Sequence, residues 1–265
     1  MKAKKSLGQN WLHSQTAIRD IVKAGNLRAD DLVLEIGPGQ GVLTSAILTT
    51  EAKVIAVEKD DRLIEFLKDK FSTEIKKKQL TLIHDDILNF DFSNFLKKKK
   101  NILKTSSYKL LANIPYYVTG QIIRKFLSEE EIQPTNLVLM LQKEVAKRIT
   151  SKDNKESLLS IAVKVYGEPK YIKTIPAGAF VPKPKVDSAI LAVHNISRKS
   201  FQTFDEKFFF DFVHQGFSQK RKQLKSVLEL GKEIFKVCHL KEDVRAENLK
   251  LSDWFCLLNN PKKNK

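Results

Sequence analysis

The stretch Glu35-Ile36-Gly37-Pro38-Gly39-Gln40-Gly41 constrains the fold more than any other part of the chain. It follows the short apolar run Leu32-Val33-Leu34 and leads directly into a helical pattern over 41–49. A strand that ends in a glycine turn and opens a helix is the first unit of a doubly wound parallel sheet. Gly37 and Gly39 let the backbone reverse tightly and let a ligand approach it closely. The alternation then repeats. Strands are predicted over 31–36, 53–57, 79–84, 108–112 and 136–141, and helices over 41–49, 60–71, 118–127 and 142–150. The expected fold class is therefore α/β, with helices on both faces of the sheet. Later β candidates at 174–180 and 188–194 fit an antiparallel addition at one edge, and Pro176, Pro182 and Pro184 mark a rigid connector between them.

Beyond residue 197 glycine and proline nearly vanish. Helical patterns over 208–217, 220–228, 232–237 and 251–258 predict a small all-helical C-terminal domain, so the expected division is 1–197 and 198–265. The lysine runs 76–78 and 97–100 are read as solvated loops. Two cysteines, Cys238 and Cys256, form no Cys-x-x-Cys pair, so a zinc ribbon or a disulfide framework is unsupported and both are expected reduced in a helical core. The five histidines show no ligand spacing, and no metal is expected.

Glu58 closes the second predicted strand about twenty residues after the glycine turn, where a carboxylate reaches ribose hydroxyls in such sheets. Asp85-Asp86 closes the third, and one of the two is placed to accept from an adenine amine. A dinucleotide turn holds pyrophosphate on free backbone N–H groups. Here Pro38 removes one N–H, and the Glu35 carboxylate would repel phosphate. S-adenosylmethionine, with an ammonium, a sulfonium and no phosphate, suits this turn better than a nicotinamide cofactor. A turn in which Glu35 merely caps the backbone or pairs with a lysine is the structural alternative.

Asn113-Ile114-Pro115-Tyr116 follows the fourth predicted strand and so opens on the same crevice. Methylation of an adenine amine is an in-line attack on the sulfonium methyl by a nitrogen whose lone pair is delocalised into the ring. Acceptors for the two amine protons favour the attacking form. The Asn113 side-chain oxygen and the Ile114 carbonyl are the candidates, Pro115 stiffens the turn, and Tyr116 offers a face on which a flipped base can stack. Alignment and electrostatics, without a strong general base, would supply the rate.

Lys and Arg total 47 against 31 Asp and Glu, a net charge of +16, which points to a polyanionic partner. Lys220, Arg221, Lys222 and Lys225 are expected to face outward from a helix, and with Lys143, Lys147, Arg148, Lys183 and Lys185 they would form a basic rim that holds phosphates. No apolar run is long enough to cross a bilayer, and Met1-Lys2-Ala3-Lys4-Lys5 does not open a signal peptide, so the chain is expected in the cytoplasm.

Taken together the motifs resemble the KsgA-type ribosomal RNA adenine dimethyltransferases, whose relatives include the Erm resistance methyltransferases. The likeness spans nearly the whole chain. It rests on Lys5-Ser6-Leu7-Gly8-Gln9-Asn10-Trp11-Leu12, the glycine turn, Asn113-Ile114-Pro115-Tyr116, Leu141-Gln142-Lys143-Glu144-Val145-Ala146, the run from Phe180 to Ala189, Phe217-Ser218-Gln219-Lys220-Arg221-Lys222 and Arg245-Ala246-Glu247-Asn248. The resemblance implies a Rossmann-like S-adenosylmethionine-dependent methyltransferase sheet. It implies cofactor contacts from Asn10, Leu12, Gly37, Glu58, Asp86 and Asn113, selecting Asp86 over Asp85. It also places Phe180 beside the target base, opposite Tyr116. Arg245-Ala246-Glu247-Asn248 resembles the housekeeping branch, which acts on two adjacent adenosines in a hairpin loop near the 3′ end of 16S rRNA in the 30S subunit or its precursor. It implies a monomer with a part in small-subunit biogenesis. The chain departs from the family at Tyr117, where Asn is common, and at Val118-Thr119-Gly120. The competing readings are an Erm-type large-subunit methyltransferase, a nicotinamide oxidoreductase, and a non-catalytic RNA-binding assembly factor.

Overall fold

A computed structural model describes residues 3–4, 7–103 and 107–260, with the backbone alone over 100–103. Lys5 and Ser6 of the N-terminal motif, Met1-Lys2, and the Lys100 side chain lie outside the described residues. The strands are β1 (Trp11–Leu12), β2 (Leu32–Ile36), β3 (Lys53–Glu58), β4 (Leu80–His84), β5 (Lys109–Asn113), β6 (Asn136–Gln142), β7 (Glu168–Ile175), β8 (Phe180–Val181) and β9 (Ser188–His194). The helices are α1 (Gln15–Gly25), α2 (Val42–Leu48), α3 (Asp61–Lys70), α4 (Ser72–Lys76), α5 (Phe92–Leu103), α6 (Thr119–Arg124), α7 (Lys143–Ile149), α8 (Leu158–Lys164), α9 (Glu206–Phe217), α10 (Leu224–Leu228), α11 (Lys232–Val237) and α12 (Leu251–Asn259).

The chain divides into two compact units, Met1–Ala146 with Lys170–Ile196, and Lys147–Pro169 with Ser197–Lys265. In the first unit, seven strands run in the order β4-β3-β2-β5-β6-β9-β7. β4, β3, β2, β5 and β6 are parallel, and β9 is antiparallel to β6. Every residue of β2 is buried, as a strand covered on both faces requires. One face is filled by Ile18 and Ile21 of α1, Ile47 of α2 and Leu63 of α3 against Val33, Val54, Leu111 and Val138. Ser14 caps α1 by accepting from the Ala17 N–H at 3.3 Å, and Asn26 ends the helix in the left-handed region at φ 46°. The order matters for function. From β2 the chain steps to β3 and β4 on one side, then returns across to β5 and β6 on the other. The reversal leaves a crevice at the carboxyl ends of β2 and β5, where ligands bind in open α/β sheets.

Several expectations change. The strand predicted over 174–180 ends at Ile175 and begins instead at Glu168. Ala177–Ala179 form a short 3₁₀ turn, and Phe180–Val181 pair antiparallel with Trp11–Leu12 in a separate two-stranded ribbon. The lysines read as a loop at 97–100 lie within α5, because Phe92, Ser93 and Leu96 bury one face of that helix and leave Lys97, Lys98 and Lys99 outward.

In the second unit, Lys147–Pro169 joins the C-terminal helices, although the expected boundary at 197 leaves it in the first. Tyr166 packs against Phe201 and Phe210, with ring centroids 5.4 and 6.1 Å apart, and accepts the Ser197 N–H on its carbonyl. The Glu156 N–H donates to the Glu247 carbonyl at 2.7 Å. The centre is Trp254, fully buried, stacked on Phe217 at 5.5 Å and edge-on to Phe212 at 6.1 Å. Gly216 allows this packing, since a Cβ there would stand 2.4 Å from the Trp254 ring. The two cysteines are not reduced core residues. Cys238 and Cys256 form a disulfide that ties the end of α11 to α12, their Cα atoms 5.7 Å apart, within the range a disulfide spans. The helix expected over 220–228 starts only at Leu224, because Gln219 to Lys222 form a turn and Gln223 is extended.

Candidate active site

One cavity opens at the sheet reversal, and all of its walls belong to the first unit. Its floor is the glycine turn. Gly37, Gly39 and Gly41 all lie at positive φ, and the turn is closed by Gly41 N–H to the Pro38 carbonyl at 2.8 Å and Gly37 N–H to the Val57 carbonyl at 2.9 Å. A Cβ at Gly37 would meet nothing within 4 Å, so the turn faces open space.

Glu58 ends β3 with only 6% of its surface exposed. One carboxylate oxygen accepts the Gly39 N–H at 3.1 Å and the other the Asp60 N–H at 2.9 Å, so the side chain is clamped to the turn with a lone pair left on each oxygen. Burial pushes its carboxyl above the ordinary range. Asp60 in turn is held by Arg62 at 2.6 and 2.9 Å and by the Gln9 amide at 2.8 Å. The Arg62 guanidinium keeps Asp60 well below the usual carboxylate range.

Glu35, 1% exposed, lies in the wall beneath the turn. Burial raises its carboxyl to about 8, with Thr44 opposing and the neighbouring Glu58 charge adding. At neutral pH burial therefore favours its protonated form, which weakens the phosphate repulsion that its position in the sequence suggests. Its Oε2 has no hydrogen-bond partner among the described residues, and neither has the indole N–H of Trp11 on the same cavity. Two orphaned polar atoms beside an open glycine turn fit a polar ligand, because unpaired buried groups of this kind are normally satisfied.

Asp86 lies half-buried at the end of β4, accepting from Lys59 Nζ at 2.7 Å and from the Leu88 N–H at 3.1 Å. Burial is the largest single influence and opposes ionisation, but these hydrogen bonds and the Lys59 charge outweigh it and hold the carboxyl below its ordinary range. Asp85, exposed, accepts the Asp86 N–H. Both carboxylates line the cavity.

Asn113 closes β5 on the opposite wall. Its amide NH₂ donates to the Asn10 carbonyl at 3.2 Å, and Asn10 itself donates to the Gly8 carbonyl at 3.1 Å. Neither the Asn113 side-chain oxygen nor the Ile114 carbonyl receives a hydrogen bond among the described residues, so both acceptors stand ready. Pro115 is extended at φ −58° and turns the chain into Tyr116, whose hydroxyl shares a 2.7 Å hydrogen bond with Ser188 Oγ. Phe180, 2% exposed, and Leu12, 6% exposed, face each other across the β1–β8 ribbon and reach the same cavity.

Asn10, Leu12, Gly37, Glu58, Asp86, Asn113, Ile114, Pro115, Tyr116 and Phe180 thus line one space. The basic residues are divided between the two units. In the first unit Lys143 pairs with Asp187 at 3.4 Å, while Lys183 and Lys185 are exposed on the proline connector. In the second, Lys225 pairs with Glu242 at 3.3 Å, and Arg148, Lys220, Arg221 and Lys222 are exposed, with Lys147 half-buried. The sequence reading missed Trp11, Lys59 and Gln121 as cavity residues. Lys59 was findable, since it directly follows Glu58 at a strand's carboxyl end. Trp11 reaches the cavity through the pairing of β1 with β8 and Gln121 from α6, and which side chains of these elements turn toward the cavity is set by tertiary packing. No helix among the described residues is long and apolar enough to cross a membrane.

The profile of the family described as "Ribosomal RNA adenine dimethylase" matches residues 1–262. The chain is 38% identical over 262 residues to the "Ribosomal RNA small subunit methyltransferase A" of Dehalococcoides mccartyi, covering 96% of this chain and 87% of that protein. Among solved structures it is similar to a dimethyladenosine transferase from Plasmodium falciparum, with a TM-score of 0.75 and 26% identity over 94% of this chain and 96% of that one. The 23S rRNA methyltransferase ErmE shares the fold, with a TM-score of 0.78 at 20% identity over 94% of this chain and 98% of that one.

Proposed function

The chain belongs to the ribosomal RNA adenine dimethylase family and is an S-adenosylmethionine-dependent rRNA methyltransferase; we propose that it dimethylates the exocyclic amine of two adjacent adenosines in a hairpin loop near the 3′ end of 16S rRNA. On this reading it acts as a monomer on the 30S subunit or its precursor, in the cytoplasm and without a metal, and serves small-subunit biogenesis.

The observation that carries the reading is that Glu58 and Asn113, from opposite sides of the sheet reversal, line one cavity. When bound, S-adenosylmethionine supplies an electrophilic methyl on a sulfonium. Asn10, Leu12 and Gly37 would enclose it, Glu58 would accept from its ribose hydroxyls, and Asp86 would accept from its adenine amine. The Asn113 side-chain oxygen and the Ile114 carbonyl would accept hydrogen bonds from the N–H groups of the target amine, and so aim its lone pair. Tyr116 and Phe180 would hold the flipped ring. Lys143, Lys147, Arg148, Lys183, Lys185, Lys220, Arg221, Lys222 and Lys225 would meet phosphates, which orient RNA without reading sequence. Residues 198–265 would then serve chiefly as an RNA-binding domain.

Primer extension on rRNA from a strain lacking the gene tests this, because N6,N6-dimethyladenine stops reverse transcriptase. A 16S stop that vanishes in the deletion and returns with the wild-type gene, but not with Asn113→Ala, is the expected result. A lost stop in 23S rRNA instead would establish the large-subunit reading, and unchanged stops would discard both.

A further inference from the structure

Tyr117 is left in water where a tyrosine has little reason to be. It is 64% exposed, although it borders the cavity. Its neighbour Tyr116 is half-buried and tethered to Ser188, whereas no hydrogen bond holds the Tyr117 hydroxyl among the described residues. The ring nevertheless has a close neighbour on one side. Gly8 lies at φ +61°, and a Cβ built there would stand 3.0 Å from Cε1 and 3.2 Å from Cδ1 of Tyr117 and 3.4 Å from Cβ of Pro115. One side of the ring therefore rests on bare backbone that only glycine supplies at this distance and conformation, and the rest of it faces solvent. Behind it, Pro115 fixes the direction in which the chain leaves β5. Lys59 lines the same cavity.

A base drawn out of an RNA strand loses its stacking on both neighbours, and those neighbours lose theirs. An exposed aromatic face offers a replacement that accepts any base, because each has a π-face. We propose that Tyr117 is a stacking platform for the nucleobase adjacent to the target adenine, holding the strand at the mouth while the extruded ring goes inward to Tyr116 and Phe180. The proposal rests on the reading of this cavity as an rRNA adenine methylation site, and it makes Tyr117 a positioning residue for substrate rather than a participant in methyl transfer.

The test uses the full chain with Tyr117→Ala, Tyr117→Phe and Tyr117→Trp. One readout is methylation of 30S subunits that lack the modification. The other is the fluorescence of 2-aminopurine placed beside the loop adenines of a hairpin RNA, with S-adenosylhomocysteine present. Tyr117→Ala should raise the KM for RNA about 5- to 150-fold, the range expected for removing one base–aromatic stack. It should leave kcat and S-adenosylhomocysteine affinity unchanged and relieve the quenching of 2-aminopurine, while Phe and Trp retain wild-type behaviour. A Tyr117→Ala chain with wild-type KM and wild-type quenching overturns the proposal. So does one whose main defect is weakened S-adenosylhomocysteine affinity, since the ring would then be propping the loop at Gly8 over the cofactor. Failure of Phe to substitute for Tyr also overturns it, because stacking needs no hydroxyl. The underlying reading fails separately, through absence of methyl transfer by the wild-type chain.

Discussion

The Asn113 side-chain amide donates to the Asn10 carbonyl at 3.2 Å, joining the end of a central strand to the N-terminal loop. The bond fixes which way the amide faces: its nitrogen is committed to Asn10, and its oxygen is left for the substrate. Asn113→Ala should therefore lower kcat by about 10²–10³, the cost of removing one preorganised polar partner. It should also weaken S-adenosylhomocysteine binding, because Asn10 loses its tether. Steady-state kinetics with calorimetry separates the two effects. A variant with normal kcat would remove Asn113 from the acceptor role.

Glu35 predicts a pH dependence of stability in the cofactor-free protein. Its folded pKa of about 8 lies above the ordinary 4.5, so the folded state binds more protons between those values. Its contribution to stability is full below pH 4.5 and is lost as pH rises through 8. The loss would be a few kcal/mol, ~5 at most, from the linkage of pKa to free energy. Glu58, raised by burial as well, acts in the same direction. Urea midpoints measured from pH 5 to 8.5 should fall for the wild type and fall less for Glu35→Gln. Parallel curves for the two proteins would show that Glu35 is ionised in the free fold.

Gly216→Ala tests the centre of the helical unit. Its new methyl would enter the space held by the Trp254 ring, and overpacking of that kind costs about 1–3 kcal/mol. Chemical denaturation should show the loss, with near-ultraviolet circular dichroism reporting a displaced tryptophan.

Peptide mapping without reductant should recover Cys238 and Cys256 in one linked species. Closing a loop of 18 residues restricts the unfolded chain by about 3 kcal/mol, so dithiothreitol or Cys256→Ser should lower the melting temperature. Free thiols in the untreated protein would reject the bond.

Lys220→Ala, Arg221→Ala and Lys222→Ala combined should flatten the plot of log RNA affinity against log salt. Each phosphate that is no longer neutralised takes about 0.7–0.9 from the slope. An unchanged slope would leave these three as ordinary solvated charge.

Much of this arrangement was legible in the sequence because parallel strands covered on both faces leave unbroken apolar runs. Leu32-Val33-Leu34 and Leu110-Leu111-Ala112 locate β2 and β5, and the residues that follow them are the site. What was hidden has physical reasons. In α5 a lysine run obscures the period, and only the spacing of Phe92 and Leu96 carries the buried face. β7 alternates exposed and half-buried residues at the sheet's edge and gives no apolar run. Whether Cys238 and Cys256 meet depends on how α11 and α12 pack, which their separation of 18 residues does not state. The protonation of Glu35 is a property of its surroundings, not of its position after Leu34.

The pairing of Trp11–Leu12 with Phe180–Val181 carries a consequence for the order of events during synthesis. One flank of the ligand cavity comes from Trp11 and Leu12, and the piece that secures it, Phe180 and Val181, is translated long after them. The nucleotide-binding turn and its acidic partners are all translated well before that piece. A nascent chain halted short of Phe180 would therefore hold nearly every ligand-facing group yet lack the clasp that brings Leu12 over them, so competence to bind should arrive late and abruptly in translation.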